Sequence, residues 1–355
     1  MNMIFLSARN LPLLLICYEI IANIPASNAL FGREVAPFQR TKIDILGIDV
    51  LTINTDAAIQ KAQESGDLVK VGEASPDAKN VQWLVRNFLG NARFHESRFG
   101  WFMAMRKDQL STRSYLDEKF CPRSFDIKNL AREAANVLDD PSNKKKDEAL
   151  TRIFVNAIGG RFLPKNNSSI PSKLIKNAES KQLDGVLPAL NPLNRLKSRR
   201  VIKNACTFMQ EQVVEAGDVD KYNLPDSYPV DVAHSILSTA ANAVDALTSL
   251  AKDPEQSVES MMCNRDKRVD TIPRQVMIDS TLGGLLPSNK PAIAKKTVIL
   301  LKVGNAAKET NDLSYAFATG PKGDKNRRCS AEPAILEFLK AVQSELKANK
   351  INKKF

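Results

Sequence analysis

Histidine is nearly absent: the 355-residue chain has two, His95 and His234. A zinc or non-haem iron centre would therefore be short of its usual nitrogen ligands. No GxSxG elbow occurs, so nothing supports a Ser-His-Asp hydrolase. Cysteine is sparse as well, at positions 17, 121, 206, 263 and 329. An odd, irregular set with no CxxC pair does not read as a disulfide framework. Long apolar runs are confined to residues 1–29, and no zinc finger, helix-turn-helix signature or RNA-reading aromatic motif is found. What is present is ordinary globular material, 43% hydrophobic and 26% charged with a net charge of +11. The basic residues are spread along the chain, apart from Lys144–Lys146, residues 197–203 and the tail. That distribution attracts anions without supplying a reading module, so no specific nucleic-acid partner is expected.

Residues 1–29 place Arg9 before an apolar run interrupted by Glu19 and end on Ser27-Asn28-Ala29. A cleaved signal peptide and a short N-terminal anchor both fit this pattern, as does a buried first helix. The first two imply a secretory or membrane-associated location. From residue 30 to 355 the chain is expected to form one domain. Val50 to Asn54 read as a strand, and Asp56 after Thr55 opens a helix that stops by Gly66. After a turn at Pro122, the residues Ile127, Leu130, Ala134, Val137 and Leu138 repeat at helical spacing. So do Val232, Ile236, Leu237, Ala240, Ala243, Val244 and Leu247. Residues 140–230 carry helical fragments joined by Lys-rich and Asn-Ser-Pro connectors, with a glycosylation pattern at Asn167 that matters only in the secretory pathway.

The stretch from Ser314 to Leu346 presents one cysteine at the mouth of an amphipathic helix. Leu313, Tyr315 and Phe317 alternate like a short strand, and TGPKGDKN supplies turn residues. Ala334, Ile335, Phe338, Leu339, Val342 and Leu346 then repeat at helical spacing, with Pro333 tolerated in the first turn. Cys329 has two reasons to ionise: the positive end of that helix and the adjacent Arg327 and Arg328.

The order Phe317, Gly320, Pro321, Arg328, Cys329, Ala331 resembles the haem-ligand loop of the cytochrome P450 family. The KGDKNR insert before the cysteine is similar to the allene oxide synthase and hydroperoxide lyase branch. LTSLAKDPE resembles the end of the family's long I helix. RQVMIDSTLGGLLP followed by TVILLKVGNAAKE is similar to its K helix and the strand beyond. The resemblance implies a mainly α fold with a small β-rich lobe, haem iron as cofactor, Cys329 as the metal ligand, and Phe317, Gly320 and Arg328 as cofactor-binding residues. It also implies a Trp and Arg near a haem propionate, for which Trp101 with Arg106 or Arg86 are the nearest candidates, although the spacing of Trp101 and Arg106 misses the i, i+4 relation.

Two departures shape the expected chemistry. The oxygen-activating pattern of an acid beside a Thr is replaced by Ala241-Asn242-Ala243-Val244, and the amide of Asn242 could hold a peroxide group without delivering protons. Ser280 and Gly283 stand where the family has the Glu and Arg of its Glu-x-x-Arg pair. The resemblance thus implies an oxidoreductase of monooxygenase type acting on a hydrophobic, fatty-acid-like substrate, with a redox partner docked on the basic surface. The alternatives are a hydroperoxide isomerase or lyase that needs no reductase, and a non-catalytic relic of the fold that binds lipid or a partner.

Overall fold

The computed structural model describes residues 38–43, 48–69, 106–162, 207–208, 210–225, 228–264, 272–276, 278–286, 292–294, 297–317, 320–322 and 328–352. Two lobes emerge from the order of elements. The smaller is a five-stranded sheet made of β1 (Phe38–Ile43), β2 (Ile48–Ile53), β3 (Leu68–Val69), β4 (Ile272–Val276) and β5 (Val298–Leu301), in the order β1-β2-β5-β4-β3. Only β2 and β5 run parallel, pairing Val50 with Val298 and Ile53 with Leu301. Val50, Leu51 and Ile53 of β2 and Val298, Ile299 and Leu301 of β5 are buried, as suits inner strands of a covered sheet. Helix α1 (Asp56–Glu64) follows β2 directly. Thr55 is extended before it, Gly66 turns left-handed at φ +73 after it, and Ala58, Ile59 and Ala62 form its buried stripe.

The larger lobe is helical. Helices α2 (Arg106–Lys119), α3 (Ile127–Asp139) and α4 (Lys146–Gly159) come first, then the short α5 (Asp218–Tyr222), the long α6 (Tyr228–Lys252) and α7 (Val258–Asn264). After β5 the chain forms α8 (Val303–Thr310), the single turn α9 (Leu313–Ala316) and α10 (Glu332–Asn352). Four of them, α3, α4, α6 and α10, pack side by side as a bundle. Ala131, Ala134 and Ala135 are the buried face of α3, and side chains this small let α10 approach closely. Phe154 of α4 meets Phe338 of α10 edge to face at 4.8 Å between ring centres. The apolar stripes expected on α6 and α10 are buried here: Ile236, Ala240, Ala243 and Leu247 on one, Leu339 and Val342 on the other, all fully covered.

Two local expectations are corrected. Leu313 to Phe317 is a helical turn rather than a strand, because Asp312 caps it, accepting from Ser314 N at 2.8 Å and Ser314 Oγ at 2.6 Å. The segment likened to a K helix is β4 followed by a turn. Gln275 and Val276 are fully buried in its ladder, and Leu282, Gly283 and Gly284 take φ of +49, +66 and +76, which no helix can continue. Ser280 there forms a two-way backbone bridge with Ile293, at 2.9 and 2.7 Å. Its hydroxyl accepts from Leu282 N at 2.8 Å and donates to Asp67.

No helix among the described residues is long and apolar enough to cross a membrane. The signal-or-anchor stretch, Trp101, Arg86, Asn167 and Arg327 lie outside the described residues.

Candidate functional site

Cys329 sits where the last loop turns into α10. It is a free thiol, half-buried. The Glu332 backbone N–H donates to the carbonyl of Cys329 at 3.2 Å, and the amides of Ala331 and Glu332 at the mouth of the helix favour the thiolate. These are the donors that a helix leaves without intrahelical partners in its first turn. The expectation that the protein alone would ionise this thiol is corrected: burial pushes it up, the Glu332 carboxylate adds to that, and the two amides and Arg113 oppose it less strongly.

Arg328 is turned toward the helix. Its guanidinium forms a two-pronged ion pair with Glu332, itself buried, the first residue of α10. The cation that the structure adds to the loop is Arg113 of α2. Its side chain is 15% exposed, pairs with Asp117 at 2.7 Å on its own helix, and donates from Nη1 to the carbonyl of Arg328. No local signal in the sequence singles Arg113 out; the Arg113–Asp117 pair at i, i+4 would have marked an ordered guanidinium, not its target.

Phe317 and Gly320 frame the other end of the loop. Phe317 is buried beside α9 as part of the hydrophobic core. Gly320 has a packing requirement of its own. Its N–H donates to Ser314 O at 3.1 Å, its φ is +85, and an added Cβ would lie 2.4 Å from Cε1 of Tyr315. Tyr315 is fully buried, and its hydroxyl bonds to Asp56 at the start of α1. Burial and that carboxylate push its phenol far above the ordinary range.

Asn242 is half-buried on α6. Thr239, three residues earlier, is 9% exposed, and Ala246, one turn later, is fully buried, so the amide stands at the border of the core stripe. Thr248 and Ser249 further along bond back to carbonyls of their own helix at 2.9 and 3.0 Å. Phe317 and Gly320 thus stand at one end of the segment between α9 and α10, Arg328 and Cys329 at its other end, and Asn242 on a helix that packs beside α10.

The donor chemistry at Cys329 fits a metal that brings its remaining ligands with it. Among the described residues no three His, Cys, Asp or Glu side chains gather as a metal cage. An iron already held by the four nitrogens of a porphyrin needs one protein ligand, and coordination expels the thiol proton whatever its free affinity. The amides of Ala331 and Glu332, which favour the charged form, would then serve the thiolate.

No family model matches the chain, and no curated protein matches it. Solved structures do. The chain is similar to ligand-free CYP164A2 of Mycobacterium smegmatis, with TM-score 0.58 and 15% identity over 94% of this chain and 92% of that one. It is similar to CxnD, a cytochrome P450 for C–S bond formation in chuangxinmycin biosynthesis, at TM-score 0.58 and 11% identity over 91% and 85% of the two chains. A myxobacterial cytochrome P450, CYP267B1 in complex with myristic acid, matches at TM-score 0.54 and 11% identity over 88% and 85%. The fold is cytochrome P450-like: mainly helical with a small mixed sheet.

Proposed function

We propose that this chain is a haem-thiolate oxidoreductase of cytochrome P450 type, with Cys329 as the protein ligand to iron and a hydrophobic, fatty-acid-like molecule as substrate. The observation that carries the reading is the half-buried Cys329 thiol just before the N-terminus of α10, on a cytochrome P450-like fold. Haem bound there would supply oxidative chemistry tuned by an electron-rich thiolate. The chain's own part is to hold the sulfur, keep its amides as donors, and cover the cofactor with apolar side chains such as Phe317. Myristic acid in CYP267B1 supports the choice of substrate class. The net charge of +11 suits an acidic electron-donating partner.

A second reading keeps the cofactor and drops the reductase: a hydroperoxide isomerase or lyase. Asn242 on α6 favours it, since an amide can hold a peroxide group by hydrogen bonds but has no proton to give at neutral pH. Absorption spectra of protein expressed with excess haem, ferric and then reduced under carbon monoxide, test the main proposal in wild type and Cys329→Ser. A thiolate-type spectrum that disappears in the variant is expected. Well-folded protein that takes up no stoichiometric haem would overturn both readings. Turnover of a fatty-acid hydroperoxide without reductant then selects the second.

A further inference from the structure

The loop that carries Cys329 is tied to the rest of the protein at two places by side chains far away in sequence. At its leading end, Tyr315 of α9 reaches Asp56 of α1, 259 residues away, through its hydroxyl. Asp56 is itself fixed, since Gln60 Nε2 donates to its two oxygens at 2.9 and 2.8 Å. The main chain then doubles back, so that Gly320 rests on the Tyr315 ring too closely for any side chain and bonds Ser314 O at 3.1 Å. A phenol pinned at both its ring and its hydroxyl leaves the chain at Gly320 one path to follow.

At the trailing end the tie is electrostatic. Arg113, held in its rotamer by Asp117, donates to the carbonyl of Arg328, 215 residues away. That carbonyl belongs to the peptide group whose nitrogen is that of Cys329. On its other side Cys329 runs straight into α10, where Glu332 N and Ile335 N enter the first turn at 3.2 and 2.9 Å. The sulfur-bearing residue is therefore clamped between a charge-assisted bond and a helix.

We propose that Arg113 and the Tyr315–Asp56 pair are positioning residues that fix the Cys329 loop from its two ends, one tie coming from α2 and the other from α1. The ties stand on the geometry above; their value for iron ligation rests on the haem-thiolate reading. A ligand must be held to a fraction of an ångström, and a loop fixed only by its own turns does not achieve that.

The full chain is compared as wild type, Arg113→Gln, Arg113→Lys and Tyr315→Phe, by amide hydrogen exchange without added haem. Segments 313–321 and 328–335 report the loop, and 146–153 in α4, which packs on none of α1, α2 and α9, is the reference. Tyr315→Phe should speed exchange in the first segment and Arg113→Gln in the second, each by about tenfold, with α4 unchanged and Arg113→Lys recovering part of the loss. Unchanged loop exchange, or equal acceleration in α4, overturns the proposal. In haem-loaded protein Arg113→Gln should lower the thiolate-type fraction of the carbon monoxide spectrum at least severalfold, and Arg113→Lys should restore it. An unaltered fraction overturns positioning of the sulfur. If wild type binds no haem, the functional reading fails and exchange alone decides the ties.

Discussion

Replacing Gly320 by Ala should destabilise the protein through two separable effects. The first is backbone conformation: at φ +85 an L side chain is strained by about 1–2 kcal/mol. The second is collision. The new Cβ would stand 2.4 Å from Cε1 and 2.9 Å from Cδ1 of Tyr315, and the ring cannot swing aside because it is fully buried and its hydroxyl is bound to Asp56. Forcing a methyl into such packing costs about 1–3 kcal/mol. The sum, about 2–5 kcal/mol, is a large share of the roughly 5–15 kcal/mol that holds a native protein together. A double-mutant cycle separates the parts. Tyr315→Leu removes the ring atoms that collide, so Gly320→Ala in that background should pay only the backbone cost. Urea unfolding of the four proteins, followed by far-ultraviolet circular dichroism, should give a coupling of about 1–3 kcal/mol. A coupling under about 0.5 kcal/mol, the usual limit of additivity, would refute the account of this turn.

Three further outcomes follow from charges. Lys119 and Asp218 pair at 2.8 Å with side chains only 15% and 8% exposed; Lys119→Met strands the carboxylate beside buried Tyr115 and should cost about 3–5 kcal/mol in chemical denaturation, while adding Asp218→Asn should restore much of it. The Lys340–Glu259 pair, at 2.7 Å but 57% and 37% exposed, ties α7 to α10. Its lysine holds the Glu259 carboxyl below its ordinary range, so its contribution is present above that range and lost as pH falls through the depressed value. Water screens it, and Glu259→Gln should change stability by less than about 1 kcal/mol at neutral pH, with the difference shrinking in salt. Burial and Glu332 raise the Cys329 thiol, so its alkylation in haem-free protein, followed by peptide mass spectrometry, should need a higher pH than a free thiol, and Glu332→Gln should lower the midpoint; alkylation at the pH of a free thiol would contradict the burial argument.

The parts of this fold legible in the sequence are those whose causes are local and repeated. Helix α6 and helix α10 declare themselves by apolar residues at helical spacing, and α1 by Asp56 after an extended Thr55 and the stop at Gly66. The β2 strand was readable for the same reason. Reading fails where a single residue overrides a pattern. Leu313, Tyr315 and Phe317 alternate as a strand would, but Asp312 places a carboxylate where Ser314 N needs an acceptor, and the segment coils. The segment 274–287 has an order that resembles a K helix, yet pairing of Gln275 with Val298 and of Val276 with Leu68 claims its beginning for the sheet. Three consecutive left-handed residues then claim its end.

The candidate site divides along the same line, and this bears on what Ser280 and Gly283 do. Cys329, Gly320 and Phe317 could be picked out because their order along one loop is itself a pattern. Arg113 and Asp56 could not, because each acts on that loop across more than two hundred residues. Ser280 and Gly283, likened to the Glu and Arg of an anchoring pair, lie in a turn that belongs to the sheet lobe. Ser280 Oγ is spent on Asp67 and Leu282 N. Gly283 approaches the end of α1, where an added Cβ would lie 3.1 Å from Lys61 O, and Lys61 Nζ donates to Gly284 O at 3.0 Å. The turn therefore fixes the C-terminal end of the helix whose N-terminal residue, Asp56, holds Tyr315. A change at Ser280 should reach the Cys329 loop only through α1. Ser280→Ala should thus speed amide exchange around residues 61–67 first and in segment 313–321 less, by the fraction of the disturbance that α1 transmits along its nine residues. Acceleration confined to 313–321, with 61–67 unmoved, would mean that the turn touches the loop by another route.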